Sequence, residues 1–461
     1  MHTPDKTCLR FEGHQYSYIH LYQAAVGWSQ RLRAAGIASH ERVGLFLENS
    51  PAFLAAYLGT HMLGGIVVLI NIQYRQSELR HILNDAGVRL CVTDADRLPE
   101  LERVRPEAPT LTEILVINDD GHVETDAEQA PTRPAAFTLH LNTDDIALLG
   151  YTSGTTGRAK GAMLSHGNLA ANSAAVTSAW SWSADDVLLL ALPLFHIHGL
   201  GVGIHGTFMT SGTVVLHRRF EAAAVFDELL SGEITMFFGV PTMYTRLIAE
   251  AHQRNQSPPP LRLYVSGSAP LDPQTFAEFE RIFGQPILER YGMTETIMNL
   301  TNPYHGERRP GTVGQPFPGQ EARIADIQTG EPVPPGTIGE IHVRGPNVFH
   351  GYWQRPDATA EVFGPDSWFH TGDLGWCSED GYFHITGRAK ELIISGGYNV
   401  YPREVEEILL QHPDIDAVAI VGLPDPDLGE QVAAVVVSHQ QRAVGSAPGP
   451  VEGLSAADAQ V

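Results

Sequence analysis

Between residues 17 and 94 the apolar positions switch repeatedly between two spacings. Residues 21–35 carry apolar side chains every three or four positions, the period of an amphipathic helix, and the stretch opening at Pro51 and residues 78–86 also read as helical. Residues 43–47, 66–69 and 90–93 are instead short apolar runs, as expected of strands buried on both faces. Helix and strand in alternation predict a parallel sheet covered by helices on both sides. The apolar stretch 52–70 is interrupted by His61 and by Gly64 and Gly65, so it reads as a buried helix turning into a buried strand and not as a membrane span. Residues 98–134 are polar and read as a connecting excursion. A strand over 146–150 and a helix from His166 flank a small-residue segment, after which apolar strands are expected at 187–192, 213–216, 234–239, 261–265 and 286–288. From 310 to 385 short strands broken by Gly and Pro, with a turn at Asp380 and Gly381, predict a small β domain or barrel. A helix over 402–410 and strands over 417–421 and 432–437 follow.

The fold class expected is therefore α/β. An N-terminal domain, 1–388, comprises two layered α/β subdomains (about 1–309) and a β-rich part (about 310–386). A small, incomplete α+β domain follows over 389–439, then an Ala, Gly, Ser and Pro tail over 440–461 with little to bury and expected to be disordered. A length of 461 residues agrees with more than one core. The net charge of -23 argues against nucleic acid or an anionic membrane surface as partner, so an anionic substrate needs locally placed cations. Lysine is scarce, with only Lys6, Lys160 and Lys390. The three cysteines, Cys8, Cys91 and Cys377, lie far apart and fit neither a disulfide framework nor a zinc pattern. With a polar N-terminus that shows no signal-peptide pattern, a reducing cytoplasm is the expected compartment.

The small-residue segment, 151–161, reads YTSGTTGRAKG. Small residues let successive backbone N–H groups curl toward one point, hydroxyls add donors and Lys160 adds a compact charge, which suits a polyphosphate. It is not a Walker loop, since Gly157 stands three residues before the lysine and no Ser or Thr follows it. A flexible Ser/Gly linker is the alternative, less consistent with a position straight after a buried strand and with the lone lysine. A second run, RYGMTET over 290–296, offers an aromatic face for a base and a carboxylate for a hard cation. Two histidines, His196 and His198, lie just past an expected strand; with no carboxylate or cysteine at ligand spacing they read as the wall of a pocket rather than a metal site.

The segment 151–161 resembles the phosphate loop of the adenylate-forming superfamily, which includes acyl-CoA synthetases, luciferases and peptide-synthetase adenylation domains. The resemblance implies that Thr152, Ser153, Gly154, Thr155, Thr156, Gly157 and Lys160 hold the phosphates. It further implies that Tyr291 stacks on adenine beside Gly292, that Thr294 contacts the α-phosphate and that Glu295 holds magnesium. Asp373 in TGDLG would accept hydrogen bonds from the ribose, Arg388 would make a second ribose or phosphate contact, Lys390 would be an interdomain hinge, and Gly396 and Gly397 would line the pantetheine tunnel. His196, His198, Arg290 and Met293 would line the acid pocket. The runs 302–309, 311–314 and 345–353 look like the malonyl-CoA and methylmalonyl-CoA synthetase branch. A buried second carboxylate needs a cation or several donors, for which Arg290 and His198 are the candidates; bracing the sheet end is the competing role of Arg290.

The function implied is an ATP-dependent acid–thiol ligase that activates malonate or methylmalonate as the acyl adenylate and passes it to coenzyme A. ATP, Mg2+ and coenzyme A are the cofactors implied, with no nucleic-acid or membrane partner; the sequence carries no signature of an oligomeric state. The alternatives are a ligase for a fatty or aryl acid, transfer to a carrier protein, or a nucleotide- or CoA-binding protein with impaired catalysis. The last arises because family members continue into a Pro-x-x-x-x-Gly-Lys element, whereas no lysine follows Lys390 here. Slow adenylation, or a poorly ordered C-terminal module, is the expectation.

Overall fold

The computed structural model describes residues 3–117, 121–122, 141–152, 158–364, 366–395, 398–425 and 428–438. The chain forms two compact units, one of Met1–Thr371 with Trp376–His384 and one of Gly372–Gly375 with Ile385–Val461.

In the first unit a six-stranded sheet runs in the order Glu113–Val116, Leu90–Thr93, Arg42–Phe46, Ile66–Leu69, Ile146–Thr152, Lys160–Ser165. The first five strands are parallel and the last turns back antiparallel. The central runs are buried throughout, which is why their sequences are apolar without alternation. The helix Tyr18–Ala34 starts where the Ser17 hydroxyl accepts from the His20 N–H, and Pro51–Met62 starts with Ser50 as cap and Pro51 in the first turn. Pro51–Met62 is the apolar helix expected to be buried; no helix among the described residues is long and apolar enough to cross a membrane.

A nine-stranded sheet has the order Gln315–Pro316, Leu300–Thr301, Leu288–Tyr291, Leu263–Ser266, Met236–Gly239, Val187–Leu190, Thr213–Leu216, Thr7–Phe11, His14–Ser17. Its core from Leu288–Tyr291 to Thr7–Phe11 is parallel, with antiparallel additions at both ends. Loops that leave the carboxyl ends of these strands are where open α/β sheets gather ligands. The β-rich part is a four-stranded sheet, in the order Glu321–Ala325, Gly339–Arg344, Phe369–Cys377, Phe383–Arg388.

Two expectations are corrected. The polar stretch from residue 98 holds a helix, Leu98–Val104, and an edge strand, Glu113–Val116. The helix buries only Leu101 and Val104, too few to announce a period, and the strand is half-exposed. The chain after the small-residue segment is a strand, Lys160–Ser165, before it becomes the helix from His166.

The second unit holds a four-stranded sheet, Tyr398–Val400, Ile393–Ser395, Gly429–Ser438, Ile415–Asp425, with the helix Pro402–Leu409. It is thinly packed: Ile408 and Val435 are 67% and 60% exposed. Gly396, Gly397 and everything from residue 439 lie outside the described residues.

Candidate active site

The strand Ile146–Thr152 delivers Thr152, and the strand Leu288–Tyr291 delivers the loop that carries Glu295. They meet: the Thr152 hydroxyl donates to Glu295 Oε1 at 3.3 Å. The Tyr352 hydroxyl donates to the same oxygen at 3.0 Å, and the Lys160 ammonium lies 5.0 Å from the centre of the Tyr352 ring. Glu295 is buried, 4% exposed, so its charge is held by hydroxyl donors in place of water. Thr152, Lys160 and Glu295, 143 residues apart at the extremes of one contact, thus form one cluster. Ser153, Gly154, Thr155, Thr156 and Gly157 lie outside the described residues.

Local backbone geometry fixes the Glu295 loop. A Cβ on Gly292 would come within 2.0 Å of the Ile297 carbonyl oxygen, so glycine is obligatory where the loop folds back. Ile297, β-branched and buried, has φ of 61°, a conformation costing about 1–3 kcal/mol. It is held by its N–H to the Met293 carbonyl (2.7 Å) and by Asn347, whose side chain donates to the carbonyls of Thr296 (2.7 Å) and Met298 (2.9 Å). Thr294 packs its methyl against Gly150, where a Cβ would lie 2.4 Å away. Tyr291 is buried, its hydroxyl 3.8 Å from Met293 Sδ.

Three of the residues expected to line an acid pocket, Arg290, His196 and His198, converge as a second group. Arg290 is 3% exposed, its guanidinium pressed on Gly267, where a Cβ would meet Cζ at 2.4 Å. Its Nε and Nη2 make no hydrogen bond, and no carboxylate pairs with it among the described residues. Burial pushes its pKa down from the usual arginine range to about 9. His198 is buried, with Nδ1 3.3 Å from the Ser268 hydroxyl and Nε2 unpaired; burial, then Arg290, holds its pKa well below the usual range. The His196 ring is exposed to solvent yet desolvated by its surroundings, which with Arg290 also lowers its pKa. The Ser266 hydroxyl, at the end of the neighbouring strand, is buried and unpaired as well. A buried cation, a hydroxyl and a neutral imidazole nitrogen, all without partners, are an arrangement suited to an anion.

Sequence reasoning missed the residues that set this wall. Asn49, 3% exposed, donates from Nδ2 to the carbonyls of Leu192 (2.9 Å) and His217 (3.0 Å) and accepts from the Leu194 N–H (2.8 Å). It clamps the turn before His196, and only a fold could reveal a contact across 145 positions. His198–Ile204 is a π-helix, a form concentrated at functional sites. Tyr352 was also unforeseen, being 57 positions from Glu295.

In the second unit, the Arg388 Nε and Asp373 Oδ1 are 3.1 Å apart, with Asp373 buried and Arg388 half-exposed. Lys390 is exposed on a short 3-10 turn. Among the described residues one cluster, Glu340, His342 and His370, groups three possible metal ligands. Its two rings stack at 4.1 Å and 11°, so their in-plane lone pairs run side by side instead of converging, and the cluster reads as an aromatic ladder.

Residues 1–353 match the AMP-binding enzyme family, and residues 404–452 match the AMP-binding enzyme C-terminal domain. The chain is 38% identical over 437 residues to a feruloyl-CoA synthase of Amycolatopsis sp, spanning 94% of this chain and 86% of that protein. It is 33% identical over 471 residues to a malonate–CoA ligase of Arabidopsis thaliana, spanning 94% and 76%. It is similar to the crystal structure of ATP-bound MatB from Rhodopseudomonas palustris, with 40% identity, a TM-score of 0.87 and coverage of 95% and 86%. With this match over most of its length and the Thr152, Lys160 and Glu295 cluster in place, the chain belongs to the AMP-binding enzyme family of adenylate-forming proteins, as an acid–thiol ligase of the acyl-CoA synthetase class.

Proposed function

We propose that the enzyme activates a short dicarboxylic acid, malonate or methylmalonate, with ATP and transfers the acyl group to coenzyme A. The observation that carries this reading is Arg290, a buried guanidinium with two unpaired nitrogens and no carboxylate beside it among the described residues. Leaving such a group unpaired is costly, and a distal carboxylate would satisfy it bidentately. An aliphatic or aryl acid would leave it orphaned. The malonate–CoA ligase among the similar proteins agrees with this reading.

A carboxylate is a poor acyl donor because its leaving group would be oxide. Attack by its oxygen on the α-phosphorus of ATP expels pyrophosphate and leaves an acyl adenylate, whose carbonyl the thiolate of coenzyme A then attacks with AMP leaving. The protein's contribution is positioning and charge stabilisation. Lys160 and the loop before it bear on the phosphates, Thr294 on the α-phosphate, and Tyr291 with Gly292 on the adenine. Glu295, with hydroxyl neighbours, offers the oxygen donors a hard cation prefers, and magnesium held there would neutralise phosphate charge. His196, held neutral beside Arg290, offers a hydrogen bond without adding charge, while His198 and Met293 shape the pocket. Asp373 and Arg388 keep the ribose-contact roles that the resemblance gives them.

Acid-dependent exchange of labelled pyrophosphate into ATP tests the reading. Malonate and methylmalonate should support exchange far better than propionate, ferulate or a long-chain fatty acid. A preference for ferulate or a fatty acid would overturn the dicarboxylate assignment, and no exchange with any acid would overturn adenylation.

A further inference from the structure

Lys160 and Glu295 carry opposite charges, and in a half-buried cleft opposite charges attract strongly enough to collapse onto one another. Collapse would hide both from a nucleotide. Among the described residues the Lys160 ammonium makes no ion pair or hydrogen bond, so it is not paired with Glu295; what stands against both is Tyr352. The hydroxyl end of the tyrosine donates to the carboxylate at 3.0 Å, and its ring face receives the ammonium at 5.0 Å from the centroid.

The backbone fixes this placement from both sides. Residues 350–353 pair with the strand that begins at Lys160: His350 N–H donates to the Met163 carbonyl (2.9 Å), Met163 N–H to Gly351 (3.0 Å) and Trp353 N–H to Gly161 (2.8 Å). On the other side the Phe349 N–H donates to the Glu295 carbonyl at 2.8 Å. Tyr352, 9% exposed, is therefore stapled between the two charge-bearing segments and is not a loosely held surface ring.

We propose that Tyr352 is a positioning residue that keeps Lys160 and Glu295 apart, its hydroxyl holding the carboxylate and its ring the ammonium, so that both charges stay available to the nucleotide. The inference rests on the assignment of Lys160 and Glu295 proposed above. Tyr352→Phe removes only the hydroxyl, whereas Tyr352→Leu removes the hydroxyl and the ring face. The test is calorimetric binding of ATP to the full chain at graded Mg2+ without acid substrate, alongside thermal unfolding and pyrophosphate exchange, with Glu295→Gln as control. Loss of one hydrogen bond to a charged group corresponds to about a tenfold effect. Tyr352→Phe should raise the Mg2+ concentration for half-maximal ATP binding about tenfold, with ATP affinity at saturating Mg2+ close to that of the parent. Tyr352→Leu should weaken ATP binding by about a further tenfold even at saturating Mg2+, because Lys160 and Glu295 then pair with each other. Parent-like Mg2+ dependence in both Tyr352 variants, with or without a lower unfolding temperature, would overturn the proposal. If Glu295→Gln shifts the Mg2+ dependence and Tyr352→Phe does not, only the tyrosine's role falls; if Glu295→Gln leaves it unmoved, the assignment of Glu295 falls and the inference with it.

Discussion

Replacing Arg290 with methionine should move stability and activity in opposite directions. The side chain keeps its length and loses its charge. The guanidinium is buried, with Nε and Nη2 unpaired, and its pKa is pushed down from the usual arginine range to about 9, which places on the order of 5 kcal/mol against the charged form. Some of that is recovered by the Gly267 contact and by relaxation, so the substitution should stabilise the free protein by about 1–3 kcal/mol. The sign follows from proton binding: the unfolded arginine keeps its proton to higher pH than the folded one, whose pKa burial pushes down to about 9. The penalty is therefore full at any pH below about 9 and relieved only as pH rises above it, so the gap between variant and parent is constant from pH 7 to 8. For catalysis, a buried charged pair that loses one member costs about 3–5 kcal/mol, or roughly a hundredfold to a few thousandfold in kcat/KM for malonate. Propionate, with no second carboxylate, should be unaffected or improved. Urea denaturation without ligand and exchange kinetics with the two acids make the assay. Equal losses for malonate and propionate, or a destabilised variant, would refute the reasoning and restore the sheet-bracing role for Arg290.

Other consequences follow from the same packing. Asn49→Ala should leave the Leu192 and His217 carbonyls and the Leu194 N–H without their partner, lowering stability by about 2–4 kcal/mol in urea denaturation. Because Asn49 clamps the turn before His196, it should also raise KM for the acid more than KM for ATP, and an even rise in both would contradict the clamp. Burial, largest among its causes, lowers the pKa of His61 to about 3 and that of His205 to about 4. Both stay neutral when folded but take up a proton near 6.5 when unfolded, so their contribution is full above pH 6.5 and is lost as pH falls toward those values. Each should remove about 2 kcal/mol of stability between pH 7 and pH 5. His205→Gln should flatten that loss by about the same amount, and an unchanged pH slope would show that His205 is not buried neutral.

Much of the fold was legible because strands buried on both faces must be apolar without interruption. Ile66–Leu69, Leu90–Thr93 and Thr213–Leu216 fall where the pattern put them. Elements whose burial is partial were not: Leu98–Val104 buries two side chains, and the pairing of Lys160–Ser165 with Ile146–Thr152 is set by neighbours and not by its own composition. The same division holds at the site. Glu295, Thr294 and Arg290 stand in one short run that the family resemblance singles out, whereas Asn49 and Tyr352 act through side chains and carbonyls that only the folded chain brings near. Ile297 gives no local warning either, since nothing in its type suggests a positive φ; the obligatory glycine at 292 was the one visible sign that the loop folds back on itself.

In the proposed reaction a carboxylate oxygen of the acid attacks the α-phosphorus of ATP beside Glu295 and Lys160. This step is tested most directly by running the ligase reaction with malonate labelled with oxygen-18 in its carboxyl groups and weighing the AMP released. The AMP should carry one labelled oxygen. Unlabelled AMP formed together with the thioester would contradict it.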